Sequence, residues 1–434
     1  MRTAKTVFGP CLAAGLLVLA PQFASAQITL SNFNRPAISQ YGIAPLEIFS
    51  ADRDVLQIYL GGEVERHSNV FALPDGVSPQ AVYGNTSRSD TLFRGLVGVS
   101  FDRQVSLQRF RLDASVLPVK FAEYSRFDHV GYSLGGHWDW AVGRPWFGTL
   151  GVRLNNSLTP FGNYYLNNKN VERRAKVYAS AGMRLTPSWA AFVGFDTESL
   201  DNSFSGVDAA DYRFYSGETG LRYAPGTGTE VDFVWRHTNG DYPNRQVVDD
   251  LGNLLPTAVD NEFSQNSLLA RLQIRPSNDS RIGGRIGLTS RKFDNLSQRD
   301  FSGVTAGLNV DWMPTGAFTM RVELVRDIQS EELLTASYVD LTSLRLRPSI
   351  RLTGKTTLFG QAIFTRANYE GDPGFVAAGA VRKDDIRTLG LGVSYEYARN
   401  VTVNLEARRT DRDSNYAAYE YSDTMLMANL LSRF

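Results

Sequence analysis

The chain has 434 residues, 43% of them hydrophobic and 21% charged, with 45 Lys+Arg against 45 Asp+Glu. Its 6 Trp, 19 Tyr and 25 Phe supply ample surface to bury, which excludes disorder as the main state. The even charge argues against a nucleic-acid binder, which needs a basic excess, and a helical membrane bundle is excluded because only one long apolar run exists, at the N-terminus.

That run reads as a secretory signal peptide over residues 1–26. Arg2 and Lys5 form its positive start, and the stretch from Val7 to Ala20 is too short to span a membrane. Ala24-Ser25-Ala26 fits a cleavage site, so Gln27 follows the cut after Ala26. Cys11 lies inside the signal, so the mature chain has no cysteine and must draw its stability from backbone pairing. Removing Arg2 and Lys5 leaves 43 cations against 45 anions; six of the cations are lysine and 37 arginine. Arginine keeps its charge and forms forked pairs with carboxylates, which suits charges held inside a confined wall.

Residues 27–53 read as an irregular periplasmic lead-in. From 54 to 434 the dominant pattern is alternation with a period of two. In Leu344-Arg345-Leu346-Arg347-Pro348-Ser349-Ile350-Arg351-Leu352 every second residue is apolar and most of the others are arginine. Marking such runs in chain order gives 18 strands: 55–67, 90–102, 106–121, 129–142, 145–157, 171–185, 189–200, 210–224, 229–240, 261–275, 280–292, 299–312, 317–328, 338–352, 356–369, 383–397, 400–412 and 418–434. Short turns, the first at 103–105, alternate with longer polar connections such as 68–89, 158–170 and 241–260. The expected fold class is all-β: a transmembrane antiparallel up-and-down β-barrel of about 18 strands, with 16 as the alternative.

Energetics assigns the faces. An arginine in lipid at mid-depth costs about 2–4 kcal/mol, so a one-residue turn of strand 338–352 would cost roughly 4–8 kcal/mol through Arg345 and Arg347. The charges therefore face inward. The expected pore-lining residues are Arg109, Arg111, Asp113, Arg153, Arg271, Arg285, Asp311, Arg321, Glu323, Arg345, Arg347, Glu396, Glu406 and Arg408. Aromatics beside the short turns, such as Trp138, Trp140, Trp146, Trp189, Tyr223, Trp312, Tyr395 and Tyr397, read as an interfacial girdle. The apolar segment 371–379 is a candidate inward-folded constriction, with packing on the rim as the alternative.

Three stretches carry a family resemblance: Ser68-Asn69-Val70-Phe71-Ala72-Leu73-Pro74-Asp75-Gly76; Arg299-Asp300-Phe301-Ser302-Gly303 leading to Trp312-Met313-Pro314-Thr315-Gly316; and Arg412-Asp413-Ser414-Asn415-Tyr416. In order and spacing the chain resembles the EpsL family, outer-membrane proteins of exopolysaccharide operons associated with exosortase/PEP-CTERM systems, which lies close to a broader group of β-barrel porins. The chain departs from the pattern at Ser68, where an acidic residue is commoner. Phe434 at the end of an alternating strand resembles the signal read by the barrel-assembly machinery, although Ser432 stands where an apolar residue is more usual. The resemblance implies a part in exporting or assembling a secreted polysaccharide, with periplasmic export proteins as partners. It supplies no catalytic residue.

The four histidines, His67, His129, His137 and His237, form no metal-binding or hydrolase motif. No enzyme, cofactor or metal is expected, and no nucleic-acid partner. His137 and Asp139 share one strand face, which keeps a lipid- or glycan-acting enzyme as a minor alternative. The expectation is an outer-membrane barrel of a Gram-negative bacterium with both termini periplasmic. It would serve as a polar conduit for exopolysaccharide or, alternatively, as a plugged scaffold in an export complex.

Overall fold

The computed structural model describes residues 55–434 except 160, 162–167, 206–207, 209–210, 227, 245–261, 278–279, 296, 298–299, 331–337 and 371–380. The signal peptide with its cut between Ala26 and Gln27, the 27–53 lead-in and the 371–379 segment lie outside the described residues.

The described chain forms 18 strands of 12–16 residues. In the first half these are β1 (Val55–His67), β2 (Asp90–Val105), β3 (Gln108–Phe121), β4 (His129–Val142), β5 (Trp146–Leu158), β6 (Val171–Arg184), β7 (Trp189–Asn202), β8 (Tyr212–Gly226) and β9 (Thr229–Asp241). In the second they are β10 (Phe263–Ile274), β11 (Arg281–Phe293), β12 (Phe301–Trp312), β13 (Phe318–Ser330), β14 (Tyr338–Arg351), β15 (Thr356–Glu370), β16 (Lys383–Ala398), β17 (Val401–Ser414) and β18 (Tyr421–Arg433). Each pairs antiparallel with its neighbours in sequence, and β1 pairs with β18 from Tyr59↔Arg433 to His67↔Met425. The sheet is thus a closed ring without free edges. The helical elements that the described residues show in full are one five-residue turn, Pro79–Tyr83, and two 3-10 turns, Ser125–Phe127 and Ala417–Tyr419. No helix among the described residues is long and apolar enough to cross a membrane.

One expected turn sits elsewhere. The first short turn falls at Ser106-Leu107 rather than 103–105, with pairing continuing to Val105↔Gln108. Ser106 takes a positive φ of 57°, which permits a two-residue reversal. Arg109 also forks onto Asp102 across the same hairpin, with Nε and Nη2 donating at 2.8 and 2.7 Å, which extends the strands past the expected break.

Alternation sorts the two faces. On β11, Ile286 and Leu288 are exposed at 58% and 63%, while the alternate residues Gly287 and Thr289 are buried. The same exposed apolar phase recurs in Leu268, Leu308, Leu389, Leu391 and Leu405. This outer band is what hydrocarbon would cover. Placing a charge in it tests that reading. Leu288→Arg is expected to lower the unfolding free energy in bilayers by about 2–4 kcal/mol, measured by urea titration; unchanged stability would mean that this face does not meet lipid.

The girdle aromatics Trp146, Trp189, Tyr223, Trp312, Tyr395 and Tyr397 are exposed at the short-turn ends of their strands. Trp189 packs on Tyr223 with ring centroids 4.8 Å apart. Phe434, also exposed, exchanges backbone hydrogen bonds with Ile58, N to O at 2.8 Å and O from N at 3.0 Å.

At the opposite end the inward phase turns apolar: Leu92 on β2, and Val119 and Phe121 on β3, are buried. The β1–β2 connection covers them. Its Phe71, Leu73 and Tyr83 form one cluster with these residues and with Tyr124, Phe127 and Leu158. Phe71 stacks on Tyr83 at 3.9 Å. Arg88 ties the connection down by donating to the carbonyls of Leu73, Pro74, Asp75 and Val77 at 2.6–3.0 Å. Asn69 accepts from Leu73 N and donates to Leu73 O, which closes a tight turn with Ala72 at φ 52°. Asp423 of β18 accepts from Ser68 Oγ and Asn69 N. The Tyr124 phenol donates to Ser87 O, and burial followed by the nearby Asp90 carboxylate pushes its pKa up. The Ser68–Gly76 stretch that carries the resemblance is thus an anchor, whose apolar residues fill the inner rim.

Candidate functional site

The inner wall is the candidate site. Arg109, Arg111, Asp113, Arg153, Arg271, Arg285, Asp311, Arg321, Glu323, Arg345, Arg347, Glu406 and Arg408 all alternate with outward apolar residues and lie on the inward face. Glu396 shares the phase but is exposed, at the short-turn end of β16 beside a register shift between Glu396 and Ala398.

Strand register brings most of these residues together. Arg111 pairs with Asp139, whose other oxygen accepts from His137 Nε2 at 2.8 Å. His137 Nδ1 lies within hydrogen-bond reach of Tyr178 Oη, at 2.8 Å. The Tyr178 ring lies over Gly151 of the neighbouring strand, where any Cβ would fall inside the ring. Tyr178 thus brings a phenol hydroxyl to His137.

A second group spans β7–β10. Glu218 accepts from Arg236 at 3.2 Å and from Arg271 at 2.8 Å, while Arg236 also meets Asp196 at 2.6 Å. Arg222 forks onto Asp232, with Nε and Nη2 both at 2.9 Å. On the next arc Arg285 meets Asp327 at 2.7 Å, Arg321 meets Asp311 at 2.5 Å and Arg345 meets Glu323 at 3.1 Å. Arg408 and Gln361 both donate to Glu406. Guanidinium forks hold carboxylates in fixed geometry, so the wall presents pre-oriented donors and acceptors.

Sequence reasoning missed two deeply buried groups. Glu63 and Glu65 of β1 both hold Arg94 of β2, at 2.8 and 2.5 Å. His67 sets its two ring nitrogens against Glu65 at 3.3 Å and Asp423 at 2.6 Å. It also missed Asp384, which is fully buried and held by Arg382 and Arg412, with Arg382 lying over the Tyr369 ring at 4.2 Å. The available signal was two acids at alternate positions, Glu63 and Glu65, facing an arginine on the next strand. Among the described residues, no group of three or more His, Cys, Asp or Glu side chains is placed to hold a metal ion.

This wall encloses a closed polar interior behind an apolar exterior. It can hydrogen-bond hydroxyl-rich or charged solutes, and its paired charges spare most groups the cost of standing alone.

A family model described as "Putative beta-barrel porin 2" matches residues 283–434, which run from β11 to the end of the chain. No curated protein sequence matches the chain. Among solved structures, the outer membrane protein OpdK of Pseudomonas aeruginosa is 11% identical, over 88% of this chain and 99% of its own, with a TM-score of 0.46. OpdF of the same organism is 11% identical over 87% of this chain and 98% of its own, TM-score 0.49. A BenF-like porin of Pseudomonas fluorescens Pf-5 is 11% identical over 87% and 99%, TM-score 0.46. The chain is a closed 18-strand antiparallel β-barrel, and its stretch 283–434 matches that porin model.

Proposed function

We propose that this barrel is an outer-membrane channel through which a secreted exopolysaccharide leaves the cell. One observation carries the reading: a closed ring of 18 strands with apolar residues outside and a two-signed, hydrogen-bonding wall inside. Eighteen strands enclose a lumen of channel width. Forked arginines, carboxylates and Tyr178 offer partners to sugar hydroxyls. The EpsL-like stretches support the polysaccharide as cargo. In this reading the short turns and both termini face the periplasm, where export proteins would dock, and the assembly machinery reads Phe434.

The test combines two measurements. Purified protein in a planar bilayer is expected to give discrete conductance steps. Deleting the gene is expected to move polysaccharide from the medium to the periplasm. Conducting protein with unchanged secretion would remove the polysaccharide and leave a general porin.

A second reading is a capped scaffold for an export complex, favoured by the β1–β2 connection that packs on the inner rim through Phe71, Leu73 and Tyr83. A bilayer that stays silent with folded protein, together with lost secretion in the deletion strain, would favour it.

A further inference from the structure

We infer that the outward face of β15–β17 is a binding site for the phosphorylated glycolipid of the outer leaflet, and that Arg366, Arg387 and Arg409 hold its phosphate groups. This rests on the membrane placement proposed above, with the short turns toward the periplasm, and not on the nature of the cargo.

The apolar band ends the same way on all three strands. Outward positions run Phe364 then Arg366 on β15, Leu389 then Arg387 on β16, and Leu405, Ala407 then Arg409 on β17. The first outward residue past the band is thus an arginine each time. Carboxylates follow one step farther out, Asp385 after Arg387 and Asp411 after Arg409. On β9–β12 the same step off the band carries His237, Asn266, Ser290 and Ser302, with no arginine, lysine or carboxylate.

Register sets the three arginines side by side. Arg366 stands opposite Asp385, two residues from Arg387, and Arg387 stands opposite Asp411, two residues from Arg409. They are successive diagonal neighbours on three adjoining strands, roughly 7–8 Å apart at the backbone. Each sits one step past the band on its own strand, so the tilt of barrel strands leaves them at one level.

Their own aspartates answer these arginines only in part. Arg366 meets Asp385 at 2.8 Å and Arg409 meets Asp411 at 2.8 Å, while Arg387 stands 3.5 Å from Asp413. The three arginine side chains are 67%, 59% and 61% exposed, in that order. Ion pairs this exposed add little stability and yield to a stronger counter-charge. Arg366 and Arg409 bond their partners through Nε and Nη2, which leaves Nη1 of each without a hydrogen-bond partner among the described residues. A phosphate has oxygens enough to take such donors in forked, charge-assisted bonds.

The level of the row selects the lipid. In the outer leaflet of a Gram-negative outer membrane, the glycolipid carries phosphates on a glucosamine pair seated directly on its acyl chains. Those phosphates lie at the hydrocarbon edge, where the guanidinium row begins. The sugar hydroxyls lie at that level and beyond it, where Asp385, Asp411 and Asp413 can accept from them.

The experiment counts lipids retained by the purified, folded barrel in detergent, by native mass spectrometry. The probes are bisphosphorylated lipid A, lipid A stripped of both phosphates, and phosphatidylethanolamine. The wild type is expected to hold the bisphosphorylated form about tenfold or more tightly than the stripped form, and more tightly than phosphatidylethanolamine. Arg366→Gln, Arg387→Gln and Arg409→Gln together should remove that preference. Asp385→Asn, Asp411→Asn and Asp413→Asn together should keep or strengthen it, because only the competing counter-charge is lost; arginines that served the ion pairs alone would give no such result. Heat-modifiable migration on gels confirms that each variant is folded. Equal retention of the two lipid A forms, a tighter hold on phosphatidylethanolamine, a preference that survives the Gln triple or one lost in the Asn triple would each overturn the inference. The channel reading has its own readout: a bilayer that stays silent would overturn it and leave lipid retention to decide this one.

Discussion

Arg94→Met is expected to lower the unfolding free energy by about 3–5 kcal/mol, the cost of breaking a buried ion pair from one side. Arg94 lies between Glu63 and Glu65, at 2.8 and 2.5 Å, and the three side chains are 4%, 0% and 1% exposed. Without the guanidinium, two carboxylates at successive inward positions of β1 face each other with no cation between them. The alternatives open to them are protonation or disruption of β1, and β1 is the strand that closes the ring on β18. Adding Glu63→Gln and Glu65→Gln removes the stranded charges and should restore most of the loss. Urea unfolding followed by tryptophan fluorescence reads both variants. An Arg94→Met protein as stable as the wild type, or one that the double Gln change does not rescue, would contradict the assignment.

Phe71→Ala is expected to release the β1–β2 connection while the barrel stays folded. Truncating a fully buried phenylalanine costs about 3–5 kcal/mol, and here that loss falls on one local unit. Phe71 is 0% exposed and contacts Tyr83, Tyr124 and Phe127 in a single aromatic cluster. Amide exchange across 68–89 should speed up by about two orders of magnitude or more, because local opening sets its rate. Strand amides and the urea midpoint should change little. In a bilayer the freed connection should add flicker to the open current. Protection of 68–89 unchanged by the substitution would show that Arg88, Asn69 and Asp423 hold the connection without the aromatic cluster.

The strands were legible because lipid outside and polar groups inside impose a strict period of two. Leu344 to Leu352 declares both its strand and its inward arginines, and β14 runs from Tyr338 to Arg351. What depends on pairing across strands was not legible. Nothing in the order of residues says that Glu63 stands opposite Arg94; that needs the register of β1 against β2. The first turn was misplaced because Arg103 and Gln104 look like loop chemistry. The pairing of Arg109 with Asp102 across the hairpin belongs to a register that carries both strands past that point. The inner rim was hidden for another reason. Leu92, Val119 and Phe121 interrupt the polar phase, and the interruption makes sense only once Phe71 and Leu73 are seen to cover it. His137 and Asp139 do share a face, as the alternation indicates, but the third member, Tyr178, comes from β6 and has no mark in the local sequence.

The pairing of β1 with β18 also constrains how the molecule can be made. These strands are the first and last of the described chain, and their contacts join residues such as His67 and Met425. Contacts so distant in sequence form late, after the intervening hairpins have assembled. Until then the nascent sheet is an open ribbon with two bare margins, each a template for another copy. Crowded, slow biogenesis should therefore yield strand-exchanged dimers, in which the β18 of one molecule completes the ring of its neighbour.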